Sequence, residues 1–321
     1  MLKRVLITQR LPERVIDAAR DRFDVTTRAA QGGLSADELR WALRDFDAVL
    51  PTLGDMFTAE VFDDVPKPRA RMLANFGVGY NHIDVAAAGR AGIVVSNTPG
   101  AVTDATADIA MTLILMSCRR AAEGERLVRS GRWQGWTPVQ MLGLHVTGRT
   151  LGIVGMGRIG QAIARRCHFG FGMSIGFVNR SARTLEFPAT RFNTIQDLAA
   201  EVDILVIATP GGDETRHLVD ASVFAAMKPT AHFVNISRGE VVDEAALVLA
   251  LENGAIAGAG LDVYEHEPHV PDALRALDNV TLLPHLGTAT LEVRENMGMM
   301  AVDNLQAFFD GIPPPNRLEV M

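Results

Sequence analysis

Short apolar runs rich in β-branched residues alternate with amphipathic stretches through the first hundred residues. The runs are Val5-Leu6-Ile7, Asp24 to Thr27, Ala48-Val49-Leu50, Met72-Leu73-Ala74 and Ile93-Val94-Val95, with helical segments such as Pro12 to Phe23 between them. Strands alternating with helices in this way predict a parallel α/β sheet. From Asp104 to Arg129 the chain is rich in alanine, leucine and methionine and nearly free of breakers. It reads as one long helix, capped at Thr103 or Asp104 and bridging two domains. Ser130 to Gly148 carries Trp133, Trp136, Pro138 and four glycines without a clear period, and reads as an extended arm.

A second alternating run begins at Thr150. Its strand candidates are Leu151 to Val154, Ser174 to Val178, Ile204 to Ala208, His232 to Ile236, Ala257 to Leu261 and Thr281 to Leu283. Helical stretches such as Ile159 to His168 and Glu244 to Asn253 separate most of them, the latter closed by Gly254 as a left-handed cap. Six strands in strand-helix order predict a doubly wound, dinucleotide-type sheet. One more helix, Leu291 to Phe309, precedes Pro313-Pro314-Pro315 and is expected to return to the first domain.

Composition narrows the function classes. The 321 residues are 48% hydrophobic and 21% charged, as in a globular protein of two domains. Lysine and arginine number 31 against 38 acids, a net charge of −7, so a nucleic-acid partner is not expected. Cys118 and Cys167 lack metal-ligand spacing, and no metal site is expected. Neither a leader nor an apolar span of membrane length is legible, and a cytoplasmic protein is the default expectation.

Candidate chemistry enters at residues 150–166, TLGIVGMGRIGQAIARR. Gly155, Gly157 and Gly160 form G-x-G-x-x-G between an apolar strand and a helix. The first glycine permits a tight turn, the second admits a pyrophosphate to the backbone, and the third lets helix and strand pack closely. Helix amides and the positive end of the helix dipole then face the phosphates. In NAD-binding sheets an acid about 20 residues on holds the adenosine ribose. Here the next strand instead runs into Asn179-Arg180-Ser181, with Arg183 close behind. An arginine with small polar groups suits a 2′-phosphate, so NADP(H) is favoured and NAD(H) remains open. The competing reading leaves Arg180 a solvated loop residue.

Three polar residues follow apolar strands farther on: Arg238 in FVNISRGE, Glu267 in LDVYEHEP and His285 in LLPHLGT. An arginine fork can hold a carboxylate and polarise the adjacent carbonyl. A histidine can protonate the alkoxide formed by hydride transfer, and a carboxylate beside it orients the ring and favours its charged form. Taken singly, each has a plainer reading as a loop, capping or surface residue; together they suit 2-oxo acid chemistry. The other histidines, His82 among them, read as structural or exposed.

The chain resembles the D-isomer-specific 2-hydroxyacid dehydrogenases, and within them the glyoxylate and hydroxypyruvate reductase branch. The segments that carry the resemblance are FGVGYNHID (76–84), NTPGAVTDATADIA (97–110), GRTLGIVGMGRIGQAIARR (148–166), NISRGEVVDEAAL (235–247), AGLDVYEHEP (259–268) and LPHLGTAT (283–290). It implies a Rossmann domain over 100–286 with a dimerisation arm near 118–148, and a flavodoxin-like substrate domain of 1–99 plus 287–321. The active site would lie in the cleft between them, and a homodimer is expected. It implies that Arg238 holds the substrate carboxylate, His285 is the acid-base group and Glu267 its partner. Val78 and Gly79 match backbone groups that bind the substrate. Thr106, Arg158, Ile159, Thr209, Pro210, Ile236, Asp262 and Gly287 match cofactor contacts, Asp262 at the carboxamide. Trp136 resembles a tryptophan that reaches into the partner subunit's site, and Leu53, Phe76 and Trp136 would select the substrate side chain.

Two departures from the family pattern matter. Asn179 stands where NAD-preferring members have an acid, and Asn81 replaces a frequent aspartate. The resulting expectation is NADPH-dependent reduction of glyoxylate to glycolate and hydroxypyruvate to D-glycerate. A different D-2-hydroxyacid dehydrogenase, acting on branched, phosphoglycerate or phosphonate substrates, is the alternative. A non-catalytic NAD(P)-sensing regulator is the reading from another class.

Overall fold

The computed structural model describes residues 1–319, whose contacts divide into two compact units. One is Met1–Val102 together with the chain from Ala289 on, the other Thr103–Thr288. Gly287 therefore belongs to the second unit, not with the C-terminal return where the sequence division would put it.

The first unit is a five-stranded parallel sheet: β1 (Arg4–Ile7), β2 (Asp24–Thr27), β3 (Ala48–Leu50), β4 (Met72–Ala74) and β5 (Val94–Ser96), in the order β2-β1-β3-β4-β5. This is the flavodoxin-like order. Helices α1 (Glu13–Arg20), α2 (Ala36–Asp45), α3 (Ala59–Asp63) and α4 (Val85–Arg90) connect the strands. Two of these helices open on a side-chain cap. Ser35 and Glu38 close a capping box at α2, and the Asp84 carboxylate accepts the Ala87 amide at α4. The sheet is buried because its centre has no polar position: Val5, Leu6, Ile7, Ala48, Val49 and Leu50 are all fully buried.

The second unit opens with α5 (Thr103–Cys118) and α6 (Ala121–Arg129). Its chain then alternates through β6 (Thr150–Val154), α7 (Arg158–Phe171), β7 (Ser174–Val178), β8 (Ala189–Arg191), α8 (Ile195–Glu201), β9 (Ile204–Ile207), α9 (Ala221–Ala226), β10 (His232–Asn235), α10 (Glu244–Glu252), β11 (Gly258–Leu261), α11 (Asp272–Ala276) and β12 (Val280–Leu282). Seven parallel strands lie in the order β12-β11-β10-β9-β6-β7-β8. Counted from β6, six of them follow the dinucleotide-fold order 3-2-1-4-5-6, with β12 added at the edge. Alternate residues serve opposite faces. Leu205, Ile207 and Phe233 join one core, and Ile204, Val206 and Val234 join the other, against α5 and α7. The last helix, α12 (Leu291–Phe309), belongs to the first unit and packs on α1 and β4.

Three expectations need correction. The stretch from Asp104 to Arg129 is two helices, broken where Arg120 takes a left-handed φ of 53°. The cause is tertiary, since the Leu144 amide returns to the Cys118 carbonyl at 2.7 Å and takes the acceptor that a continuing helix would use. Nor does that stretch bridge the units, because α5 lies wholly in the second and packs on β10, β11 and α7. The sheet also has a seventh strand: β8 is three partly exposed residues at the edge, too short for an apolar alternation to mark it.

Candidate functional site

The glycine loop leaves β6 and enters α7. Gly155 has φ +100°, and a Cβ there would press on the Ala208 carbonyl. At Gly160 a Cβ would run into the Gly155 carbonyl oxygen, so close helix-strand packing depends on its absence. Beside Gly157 the space is open, at the N-terminus of a helix of 14 residues whose first residues are Arg158 and Ile159. The Thr209 hydroxyl, just past β9, is buried and meets no protein partner among the described residues. An open cradle at a helix N-terminus and an unmet buried hydroxyl across from it fit a dinucleotide.

The turn after β7 is tied to this loop. Asn179 Oδ1 accepts the Met156 amide at 3.1 Å and its Nδ2 donates to the Ser181 carbonyl at 2.8 Å. Arg191 of β8, which the sequence reading did not single out, donates to the Asn179 carbonyl at 2.9 Å. Arg180 is exposed, and its guanidinium pairs with Glu214 at 2.7 Å. A 2′-phosphate would have to compete with that carboxylate.

Arg238 stands three residues past the end of β10. Asn235, the last residue of that strand, shapes the turn: its Oδ1 accepts the Ser237 amide and its Nδ2 donates to the Arg238 carbonyl, both at 3.0 Å. Ser237 Oγ donates to the Thr209 carbonyl at 2.7 Å, joining this turn to the end of β9. Burial draws the Arg238 pKa below its ordinary value, while Glu267 and Glu240 act the other way. A guanidinium stays charged under such opposing influences.

His285 Nδ1 and Glu267 Oε2 are hydrogen-bonded at 2.8 Å. Glu267 Oε1 also accepts the Tyr264 amide at 3.1 Å. Burial pushes the Glu267 carboxyl upward, but the His285 hydrogen bond and charge, the Tyr264 amide and Arg238 outweigh it, and the net shift is downward. Glu267 is thus a carboxylate at neutral pH, and its bond to Nδ1 leaves His285 Nε2 outside the pair.

His285 has φ 54°, uncommon for a residue with a Cβ, and Asp262 holds it there. The His285 amide donates to the Asp262 carbonyl at 2.9 Å, the Leu286 amide to Oδ1 at 2.6 Å and the Gly287 amide to Oδ2 at 2.8 Å. Asp262 is almost fully buried, and burial raises its pKa despite these amides. Thr106 Oγ1 completes the loop by donating to the Gly287 carbonyl at 3.2 Å. Sequence reasoning placed Asp262 and Thr106 at a cofactor and missed this bracing part, which depends on loop geometry that no spacing encodes.

All of Arg238, Glu267, His285, Thr106, Arg158, Ile159, Pro210, Ile236 and the glycines stand in the second unit. Leu53, Phe76, Val78 and Gly79 stand in the first; Leu53 is exposed and Phe76 buried. Trp136 is exposed in the helix-free and strand-free arm that follows α6. Among the described residues no cluster of metal-ligating side chains occurs, and no helix is long and apolar enough to cross a membrane.

A model of the D-isomer-specific 2-hydroxyacid dehydrogenase NAD-binding domain matches residues 111–287. Glyoxylate reductase of Thermococcus onnurineus is 44% identical, over 98% of this chain and 95% of that one. A putative D-isomer-specific 2-hydroxyacid dehydrogenase from Polaromonas superposes with a TM-score of 0.92 at 38% identity, covering 99% of this chain and 100% of that one. The NADPH-dependent glyoxylate/hydroxypyruvate reductase of Sinorhizobium meliloti, solved with NADP and malonate, gives 0.89 at 37% identity over 100% and 98%.

Proposed function

Since the chain belongs to the D-isomer-specific 2-hydroxyacid dehydrogenase family and is a nicotinamide-dependent dehydrogenase, we propose that it reduces small 2-oxo acids, glyoxylate and hydroxypyruvate, with NADPH as the favoured donor. Bound at the glycine cradle, the dinucleotide supplies the hydride. Arg238 pairs with the substrate carboxylate and polarises the adjacent carbonyl. His285 Nε2 delivers a proton to the carbonyl oxygen as it gains charge, so that C=O becomes CH–OH, and takes the proton back in the oxidation direction. Glu267 holds the ring by Nδ1 and stabilises its charged form. Asp262, with its remaining lone pairs, and the Thr209 hydroxyl are the polar groups offered to the cofactor.

The observation that carries this reading is the 2.8 Å His285–Glu267 pair, with Arg238 close enough to Glu267 to act on its charge. Nine-tenths or more of the glyoxylate reductase relative and of the S. meliloti reductase align with it, which supports the substrate class. Preference for NADPH rests on Asn179-Arg180-Ser181 and the missing acid. A homodimer carrying the exposed Trp136 to its partner, in the cytoplasm, belongs to the same reading.

The test is the initial rate of NADPH and of NADH oxidation with glyoxylate, hydroxypyruvate, pyruvate and a branched 2-oxo acid, compared as kcat/KM. The expected result is highest efficiency with NADPH and either glyoxylate or hydroxypyruvate. A preference for NADH would defeat the Arg180 argument, and no turnover with any of the acids would defeat the substrate assignment.

A further inference from the structure

The FGVGY turn, residues 76–80, sits beyond β4 in the first unit, and an inward-facing network accepts nothing from its middle amides. Asn75, fully buried, donates from Nδ2 to the Gly77 carbonyl at 3.1 Å and to the Gly79 carbonyl at 2.9 Å. Asn97 Nδ2 takes the Val78 carbonyl at 2.9 Å. The Thr98 amide adds a second bond to Gly77, and the Ile83 amide takes the Tyr80 carbonyl. Every carbonyl from Gly77 to Tyr80 is therefore drawn into the unit. Among the described residues neither the Val78 nor the Gly79 amide donates to a protein acceptor. Consecutive amides turned the same way form an anion-binding nest.

The direction of that turn depends on which way the Asn75 amide faces. His82, also buried, meets Asn75 Oδ1 through Nε2 at 3.0 Å. Because Nδ2 serves two carbonyls, Oδ1 must be the acceptor and His82 Nε2 the donor. A flipped amide would set oxygen against two carbonyl oxygens and leave the histidine donor unmet. Asn97 is tied in from the other side, its amide and carbonyl bonded to Asn316 and Asn304.

We propose that Asn75, oriented by His82 and seconded by Asn97, is the positioning residue that keeps the Val78 and Gly79 amides turned outward for the substrate's carboxylate. The inference rests on the 2-oxo acid reading above and assigns the histidine of the NHID segment, read from sequence as structural or exposed, a part in substrate affinity.

Two variants separate this part from a merely structural one. Gln at position 82 reaches with its amide to where Nε2 stands, so His82→Gln keeps the donor to Asn75, whereas His82→Leu removes it. With NADPH saturating, His82→Leu is expected to raise the KM for glyoxylate and the Ki for oxamate, an unreactive carboxylate analogue, by about tenfold or more. The KM for NADPH stays unchanged and kcat falls less than KM rises. His82→Gln is expected to hold both constants within about twofold of wild type. Should His82→Leu fail to fold, Asn75→Ser, which retains at most one of the two donors, carries the same expectation. A folded His82→Leu or Asn75→Ser with wild-type KM and Ki overturns the proposal, as does a loss confined to kcat and thermal midpoint. Wild-type protein that binds NADPH but reduces no 2-oxo acid removes the parent reading and this one together. Normal wild-type reduction beside unaltered variants removes this one alone.

Discussion

His285 stands in the left-handed region at φ 54°, and its place in the proposed chemistry follows from how that backbone is held. A left-handed φ costs a residue with a Cβ of the order of 1 kcal/mol or more, and three successive amides bonded to Asp262 sustain it. The ring is committed to Glu267 through Nδ1, and in the proposed reaction Nε2 is the nitrogen that carries the proton. Replacing His285 by alanine is expected to lower kcat by about 10² to 10⁴ with little change in cofactor affinity, measured in steady-state and binding assays. Arg238→Ala should raise KM and lower kcat together, because carboxylate binding and carbonyl polarisation are lost at once. Near-normal turnover in His285→Ala would remove it from the acid role. The residue types and their strand-end positions were legible along the chain; the Asp262 clamp was not, because its three bonds join positions more than twenty residues apart through a loop.

Under the proposed function, connections between strand ends, not the strands themselves, carry the groups offered to the cofactor. The turn after β7 and the one-turn 3-10 helix Asp213–Thr215 after β9 face each other through Arg180 and Glu214. Exposed ion pairs of this kind are worth little, typically ~0.2 to 1 kcal/mol. If Arg180 serves a 2′-phosphate, releasing it from Glu214 should tighten NADPH binding and leave NADH alone. Glu214→Gln is accordingly expected to lower the KM for NADPH by about two- to fivefold, and Arg180→Ala to raise it. Equal effects on NADPH and NADH would return Arg180 to the status of a solvated loop residue. The helix break at Arg120 teaches a related lesson. Composition from Asp104 to Arg129 favours continuous helix, yet Leu144 arrives from the arm and takes the Cys118 carbonyl. Local propensity is a small term beside a tertiary hydrogen bond that satisfies a helix end.

Across the whole molecule, burial of polar groups sets conditions on stability. His232, at the start of β10, is 6% exposed and bonds Ser117 Oγ of α5 at 2.8 Å. Burial alone draws its pKa down to about 4 from 6.5. Between those values the unfolded chain binds the proton that the folded one refuses, so stability is full above pH 6.5 and falls as the pH drops toward 4. The loss reaches about 3 kcal/mol at 1.36 kcal/mol per unit. Urea midpoints measured from pH 7 to pH 4.5 should fall accordingly, and His232→Asn should flatten that slope whatever it does to the midpoint at pH 7. An unchanged slope would assign the pH dependence to other groups. Cys118 and Cys167 are buried free thiols held up at about 12, inert for the same reason.

Periodicity alone determined the kind of most elements, because strands buried on both faces have to be apolar throughout, and glycines at 155 and 160 stand where a side chain would meet backbone. Arg238, Glu267 and His285 stood out as polar residues in the segments that follow apolar strands, and their expected roles came from the family resemblance. Tertiary structure alone decided the orientation of those residues, the break at Arg120 and the edge strand β8. It alone brought Asn75, His82 and Asn97 around one turn. Hydrogen bonds that join distant positions depend on where backbone groups point after folding, and that direction has no signature in the order of residue types.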